Sequence, residues 1–387
     1  MKRPTGRVVI VGGGVAGLRV AEALRGHGFS GELLGIGAEE HAPYPRPPLS
    51  KAALHKPGGV EVLTNSATDV RWSFGTAAVD LDLAGPSVTL DDGRLIESDA
   101  VVIATGVRAR TLPGTASALS LRTVEDAERV RAVLAGAPGH LVIIGAGFIG
   151  SEVAVAARVR NWEVTVVDAQ TTPLAAALGP AVAQWLWEQH RARGVHIRFS
   201  QPVRSADKVG TRWHVSLDNG AVLEADAVIT GLGAKPNTEW LGMSGLDVSD
   251  GVLTDARRRA VTADGTVAGN IMAIGDVART PSPLTGGRAI RWEHWTAAVA
   301  DARRAATVLV GLEPPPELPT VFWTDVYQDR IQVLGLPRGT ESEPEPGPRG
   351  FCVRYDSAGI LSGAVAVNWP QRLAVLQREI TRAGVAT

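Results

Sequence analysis

The residues best placed to do chemistry are two sets of glycines, a lysine in a proline-rich stretch and a glutamate on an apolar helix. Gly12, Gly14 and Gly17 stand in the pattern G-x-G-x-x-G, and Gly145, Gly147 and Gly150 repeat it. In that pattern the first glycine makes a tight turn and the second lets backbone approach a pyrophosphate. The third lets a helix lie close on the preceding strand, with its N-terminal N–H groups aimed at the phosphates. Glycine-rich turns also join strands to helices for structural reasons alone. Two complete units in one chain are much harder to explain that way, so they imply two bound dinucleotides. Each unit should end its second strand on a carboxylate that holds a ribose hydroxyl pair. Glu39 and Asp168 fill those positions, although an exposed loop glutamate is a plain alternative for Glu39. Asp168 lies 23 residues beyond Gly145, close to the spacing of ~20 that a ribose ligand requires.

Residues 43–51, Pro-Tyr-Pro-Arg-Pro-Pro-Leu-Ser-Lys, cannot continue a helix through four prolines. A backbone frozen this way suits holding a flat ligand against a rigid wall, with Arg46 and Lys51 as cations beside an anionic group. A surface proline loop with solvated charges is the alternative. Glu152 sits among Phe148, Ile149, Val153, Ala154 and Val155. A carboxylate on so apolar a helix needs a partner if buried, because an unpaired buried charge is strongly destabilising. If exposed, it would simply favour the helix dipole. Asp276 follows a short apolar strand, residues 271–274, where it can accept a hydroxyl from a polyol chain or cap a turn. The chain has one cysteine, Cys352, in an alternating stretch that reads as a packing thiol. Intramolecular disulfide chemistry is therefore excluded, and no metal-ligand spacing of histidine or cysteine is present.

The elements that must position these residues are legible in outline. Residues 8–11 and 141–144 are continuous apolar runs, as strands buried on both faces should be. The helix after the first has Leu18, Ala21 and Leu24 on one face. Further strands are expected at 33–36, 100–103, 164–167, 227–229 and 271–274, with helices at 124–134 and from the Glu293-His294-Trp295 stretch through Leu309. Antiparallel excursions are expected at 79–95 and, around Asp218-Asn219-Gly220, at 213–223. Residues 111–121 read as a connection. After three prolines at 314–316 come strands near 321–323, 330–334, 350–355 and 363–367, a solvated loop at 341–349, and a last helix at 371–380. A length of 387 residues suggests two or three domains. With 45% hydrophobic and 20% charged residues the composition is that of a soluble globular protein. The net charge of −1 supplies no global field for nucleic acid or a membrane surface. No apolar run approaches the ~20 residues of a membrane span. The basic start, residues 1–3, is followed by too short an apolar run for a signal sequence, so a cytoplasmic location is expected.

With these pieces in order, the chain resembles the FAD-dependent NADH:ferredoxin reductases of bacterial oxygenase and cytochrome P450 systems, such as the putidaredoxin and rubredoxin reductases. They belong to the glutathione-reductase-like superfamily. The resemblance spans essentially the whole length. It is carried by residues 43–51, Ala104-Thr105-Gly106, 145–152, 231–237, Gly275-Asp276, Glu293-His294-Trp295 and Phe322-Trp323-Thr324-Asp325. It implies an α/β fold with two nested Rossmann-like dinucleotide-binding domains and a small C-terminal α+β domain. The FAD domain would comprise 1–110 and 237–312, the NAD domain 111–236 and the C-terminal domain 313–387. Carried over by position, Gly12, Gly14, Gly17, Glu39, Arg46, Lys51, Thr105, Gly106, Arg122 and Asp276 would hold FAD, and Gly145, Gly147, Gly150 and Asp168 NADH. Gly233, Glu293 and Trp295 complete the cofactor-binding set, Glu293 as a candidate for the nicotinamide amide. Lys51 and Glu152 look like the family's ion pair beside flavin N5, and Trp323 would lie by the flavin edge facing the partner.

The chain departs from the family pattern at Ala38, Pro45 and Val326, where two acidic residues and a glutamine are usual. The function implied is hydride uptake from NADH by FAD and single-electron delivery to a small iron–sulfur protein, a ferredoxin or rubredoxin. A reductase of a small-molecule acceptor and a redox-sensing interaction protein are the alternatives. Disulfide reductases and NADH peroxidases of the superfamily are disfavoured, because each needs cysteine where this chain has none. A basic patch of Arg288, Arg291, Arg303 and Arg304 near Trp295, with Arg330 after Trp323, would meet an acidic acceptor unless these are ordinary solvated arginines.

Overall fold

The computed structural model describes residues 4–58, 60–64, 69–112, 115, 118–357 and 359–385. The basic start at 1–3 and positions 113, 114, 116 and 117 of the expected connection lie outside the described residues. The chain divides into two compact units.

The first unit comprises Met1–Pro45, Glu61–Arg108 and Lys235–Glu317. Its main sheet runs in the order Arg259–Val261, Val267–Ala273, Ala100–Ile103, Arg7–Val11, Glu32–Gly37, Arg71–Phe74. All neighbours are parallel except the first pair. The side-chain period of two splits the central strand between two cores. Val8 and Ile10 join Val102 and Met272 under the helices Val15–Gly26 and Trp295–Leu309. Val9 and Val11 join Val101 and Ile103 against Leu81, Val88, Leu90 and Ile96, from the antiparallel sheet of Ala78–Asp82, Ser87–Leu90 and Leu95–Glu97. Burial on both faces explains why the strand has no polar residue between Val8 and Val11. Alanines at 298, 302, 305 and 306 let the long helix lie close to Ala16, Val20, Ala21 and Leu24 of its neighbour.

The second unit comprises Arg46–Val60, Ala109–Ala234 and Leu318–Thr387. A four-stranded parallel sheet runs in the order Val195–Arg198, Glu163–Val167, His140–Ile144, Ala227–Thr230. Val142, Ile144 and Val167 pack on Trp213, Val215 and Leu217 of an antiparallel three-stranded sheet. The C-terminal stretch forms a further antiparallel sheet that includes Val321–Val326, Asp329–Gly335, Ile360–Val367 and Phe351–Ser357. The helix Pro370–Val385 closes the chain, with Leu373, Leu376 and Ile380 buried.

Two local expectations are corrected. The proline-rich stretch is not free of helix, because Pro47–Ser50 is a 3-10 turn with prolines at its first positions. Proline costs nothing there, since those N–H groups have no partner inside the turn. Residues 341–349 are not only a solvated loop: Thr340–Glu341 and Glu345–Pro346 each pair with Phe351–Ser357.

Candidate functional site

In the first unit the glycine loop is shaped by close backbone approach. Gly12 has φ of +132°, and a Cβ there would fall 2.1 Å from the Ala104 carbonyl oxygen. A Cβ on Gly17 would fall 2.0 Å from the Gly12 oxygen, so helix and turn require glycine at both places. A Cβ on Gly14 would meet no described atom within 4 Å. Gly14 is the N-cap of Val15–Gly26, and among the described residues no side chain caps that end and no acidic residue lies in its first turn. Open space before bare N–H groups fits a phosphate. Around the loop, Thr105 Oγ1 donates to the Asn237 carbonyl at 2.8 Å, and Asn237 Nδ2 returns a bond to the Thr105 carbonyl at 2.9 Å. The Asn237 N–H donates to the Gly106 carbonyl at 3.0 Å. Glu39 accepts from the Tyr44 hydroxyl, so the acidic residue of the second strand end is oriented by the start of the proline stretch.

Asp276 follows Gly275, whose φ of +70° and tight fit against Ala16 and Ala298 place this turn at the start of the glycine-loop helix. The Gly275 N–H donates to Asp301 at 3.1 Å, and Asp301 is held by the buried Arg258 at 2.6 Å. Glu293 is exposed and ion-paired with Arg291. His294 caps the helix that Trp295 begins, its Nδ1 accepting from the Ala297 N–H at 3.2 Å. Burial lowers the His294 imidazole to about 4 against an opposing pull from Asp276. The ring is thus neutral at pH 7, as an accepting cap requires.

The second unit repeats the loop. Gly145 has φ of +103°, and its Cβ would fall 2.3 Å from the Gly231 carbonyl oxygen. A Cβ on Gly150 would strike the Gly145 oxygen at 2.1 Å, and one on Gly147 would stand in ordinary contact with the Gly231 oxygen at 3.7 Å. Gly147 is the N-cap of Phe148–Arg158, with no side-chain cap among the described residues. Asp168 Oδ2 accepts from the Ala146 N–H at 2.7 Å and Oδ1 from the Gln170 N–H at 2.7 Å, which sets the carboxylate at the mouth of the loop. Gly233 is exposed with φ of +82°, and its carbonyl accepts from the Arg110 N–H at 3.0 Å. Arg46 donates to the Arg122 carbonyl at 2.7 Å, just before the capping box of Thr123 and Asp126. By contrast with this fully capped helix, the two glycine-loop helices carry no side-chain cap among the described residues, as is also true of Pro180–Ala192.

Glu152 is 5% exposed and pairs with Lys51 Nζ at 2.6 Å. The burial problem posed by its apolar helix is met by an ion pair. Trp323, on Val321–Val326, is 36% exposed, whereas the next residue, Thr324, points inward at 2%. Val326, at one of the positions of departure, is fully buried. The arginine patch is reduced. Arg291 pairs with Asp250 at 3.0 Å as well as Glu293, Arg304 donates to the Pro315 carbonyl at 3.0 Å and Arg330 pairs with Asp325 at 2.7 Å. Arg288 and Arg303 are exposed.

The family of pyridine nucleotide-disulphide oxidoreductases matches residues 6–302. The chain belongs to that family. Among the relatives of this oxidoreductase, rhodocoxin reductase of Rhodococcus erythropolis is 37% identical over 346 residues, 87% of this chain and 79% of that protein. The ferredoxin–NAD(+) reductase component of the p-cumate 2,3-dioxygenase system of Pseudomonas putida is 35% identical over 96% of this chain and 92% of that protein. The solved covalent complex of putidaredoxin reductase with putidaredoxin aligns at a TM-score of 0.89 and 32% identity, covering 98% of this chain and 94% of that one. The chain is thus of the ferredoxin-reductase kind within the family, with the glutathione-reductase-like fold. It has a single cysteine, so a dithiol cannot take part in its chemistry. Cys352 is fully buried, and burial pushes its thiol up to about 11.

Sequence reasoning missed the hydroxyls on Glu152. Ser50 Oγ donates to its Oε2, and Thr324 Oγ1 donates to Oε1 at 2.6 Å. The one signal was strand alternation around Trp323, which sends its neighbour to the opposite face. A second missed group is a buried chain in which His190 bonds Ser151 Oγ at 2.8 Å and the Tyr327 hydroxyl at 3.0 Å. Among the described residues, no group of histidine, cysteine and carboxylates could hold a metal, and no helix is long and apolar enough to cross a membrane.

Proposed function

We propose that this protein takes a hydride from NADH onto FAD and passes the electrons singly to a ferredoxin or rubredoxin that serves an oxygenase or cytochrome P450. FAD, when bound, supplies the hydride acceptor and the change from two-electron to one-electron transfer. In this reading the residues of 1–110 and 237–312 hold FAD through Gly12, Gly14, Gly17, Glu39, Thr105, Gly106 and Asp276, with Arg46, Lys51 and Arg122 as further contacts. Residues 111–236 bind NADH through Gly145, Gly147, Gly150, Asp168 and Gly233, and Glu293 and Trp295 orient the nicotinamide. Residues 313–387 face the acceptor through Trp323. The helix ends at Gly14 and Gly147, without a side-chain cap among the described residues and with no close clash at either glycine, support two phosphate-bearing ligands. The names of the relatives support the acceptor class. A cytoplasmic location fits the use of NADH.

The observation that carries the reading is the buried Lys51–Glu152 pair in a chain with one inert cysteine. A charge pair whose carboxylate is 5% exposed and whose lysine side chain is 25% exposed offers little net stability over apolar packing. Its presence points to hydride chemistry, with Lys51 presenting a fixed positive charge to the reacting centre. The test is direct. Purified protein should take up about one FAD per chain, matching one FAD site per fold. NADH should then bleach it anaerobically, and reduced protein should pass electrons to an iron–sulfur protein from a panel of ferredoxins and rubredoxins. A protein that binds no FAD on reconstitution overturns the reading.

A further inference from the structure

The Lys51–Glu152 pair is the centre of a larger buried group, all of it within the second unit. Glu152 Oε1 accepts from Lys51 Nζ at 2.6 Å and from Thr324 Oγ1 at 2.6 Å, while Oε2 accepts from Ser50 Oγ. Ser50 and Thr324 are 4% and 2% exposed. The three donors come from separate pieces of chain. Ser50 ends the 3-10 turn Pro47–Ser50, Lys51 follows it, and Thr324 is on the strand Val321–Val326. Glu152 itself is on the helix Phe148–Arg158 that follows the second glycine loop.

A carboxylate torsion is soft, and a lysine stem has four rotatable bonds. An ion pair between the two, left alone in a low-dielectric pocket, fixes neither partner. Hydroxyl bonds to a carboxylate are short and about twice as strong as neutral ones. Here one binds each oxygen, so the carboxylate plane is set by the turn on one side and the strand on the other. The ammonium of Lys51 shares its acceptor oxygen with Thr324. Its position therefore follows from where Thr324 holds that oxygen. Backbone geometry supports this: Pro47 and Pro48 restrict the turn that carries Ser50, and the strand that carries Thr324 is paired along its length with Asp329–Gly335.

We propose that Thr324 and Ser50 are positioning residues for hydride transfer, acting by fixing the Glu152 carboxylate and through it the Lys51 ammonium. The inference rests on the hydride-transfer reading of that pair. It goes further in giving two hydroxyls, one of them beside the exposed Trp323, a role in the rate of NADH oxidation.

The test uses FAD-loaded protein in anaerobic single-turnover reduction by NADH, with Thr324→Val, Thr324→Ser and Ser50→Ala. A second readout is independent of activity. The lysines of the chain are Lys2, Lys51, Lys56, Lys208 and Lys235, so protein labelled with nitrogen-15 at the lysine side chains gives few Nζ resonances, and Lys51→Arg assigns that of Lys51. Loss of one charge-assisted bond in Thr324→Val should lower the limiting reduction rate about ten-fold. The NADH Kd from the same titration should stay within about two-fold, since ground-state binding is untouched. The Lys51 Nζ resonance should shift, and Thr324→Ser should restore both rate and resonance. If Thr324→Val does not fold, Ser50→Ala carries the same expectation through the other oxygen. Wild-type reduction rates and an unmoved Lys51 resonance in both donor-removing variants overturn the proposal. A Lys51 resonance that shifts in Thr324→Val, together with wild-type reduction in a separate Lys51→Met variant, would overturn the hydride-transfer reading instead.

Discussion

At the residue scale the proposed NADH site turns on Asp168 for coenzyme choice. Its two oxygens are tied to the Ala146 and Gln170 N–H groups at 2.7 Å each, so the carboxylate cannot swing away from a ligand seated on the loop. A ribose with free hydroxyls can donate to it, whereas a 2′-phosphate would bring like charges together. At about 4 Å and an effective dielectric of ~20 that repulsion is roughly 4 kcal/mol before screening. The sequence has no cation after Asp168 until Arg191, but the fold brings the backbone of Arg198 alongside, its carbonyl accepting the Asp168 N–H at 3.0 Å. NADH should therefore be preferred over NADPH in kcat/KM, and Asp168→Ala should narrow the ratio by about ten-fold or more, part of the Coulomb difference. Steady-state kinetics with both coenzymes check it, and a wild-type ratio near unity contradicts the assignment. The place of Asp168 beside the second glycine loop was legible because it depends on chain spacing. Thr324 and Ser50 were not, because a hydroxyl is at home on a surface or in a core and nothing in its own identity marks the face it takes.

At the element scale, the parts that could be read in advance were those that carry their own periodicity. The strand Ala100–Ile103 and the helix Val124–Leu134 stand where the apolar pattern put them. The strands Thr340–Glu341 and Glu345–Pro346 were not legible, since they exist only through the partner Phe351–Ser357. The hidden link between helix and hairpin is of the same kind. His190, on the helix Pro180–Ala192, is fully buried between Ser151 of the glycine-loop helix and Tyr327 at the turn after Val321–Val326. Arg193 lies 4.2 Å from the Tyr327 ring centroid, which holds the same turn from the other side. Burial, with Arg193 adding to it, lowers the His190 imidazole to about 4 from 6.5. The unfolded chain thus binds the proton first, so this contribution is complete above about pH 6.5 and is lost as pH falls toward 4. The full loss is about 3 kcal/mol. Urea unfolding midpoints should fall between pH 7 and pH 4.5, and His190→Gln, which bonds without titrating, should flatten that slope while lowering the midpoint at pH 7. Parallel pH profiles for the two proteins would show that His190 is not the group being titrated.

For the whole molecule the decisive quantity is the near-balance of charge, −1 over 387 residues. Such a protein has no long-range field to steer an acidic iron–sulfur partner, so attraction must come from local cations. The internal pairing of Arg291 with Asp250 and Glu293 removes it from that task, and Arg330 is neutralised in part by Asp325. Arg288 and Arg303 of the expected patch are exposed too. A contact of a few exposed charges is screened over roughly 8 Å at physiological salt. Acceptor turnover should therefore fall as salt rises, while reduction by NADH, assigned above to the Lys51–Glu152 pair, should change little. Cytochrome c reduction should require added ferredoxin and decline between low and high salt. Arg303→Glu should raise KM for ferredoxin about three- to ten-fold, the size expected of a rim charge, with single-turnover reduction by NADH unaltered. A reductase of quinones or oxygen would behave otherwise: its rate would be the same with and without ferredoxin and flat in salt, and Arg303→Glu would be silent. That pattern, across a panel of iron–sulfur proteins, would move the acceptor from a protein to a small molecule and leave the two dinucleotide sites as they stand.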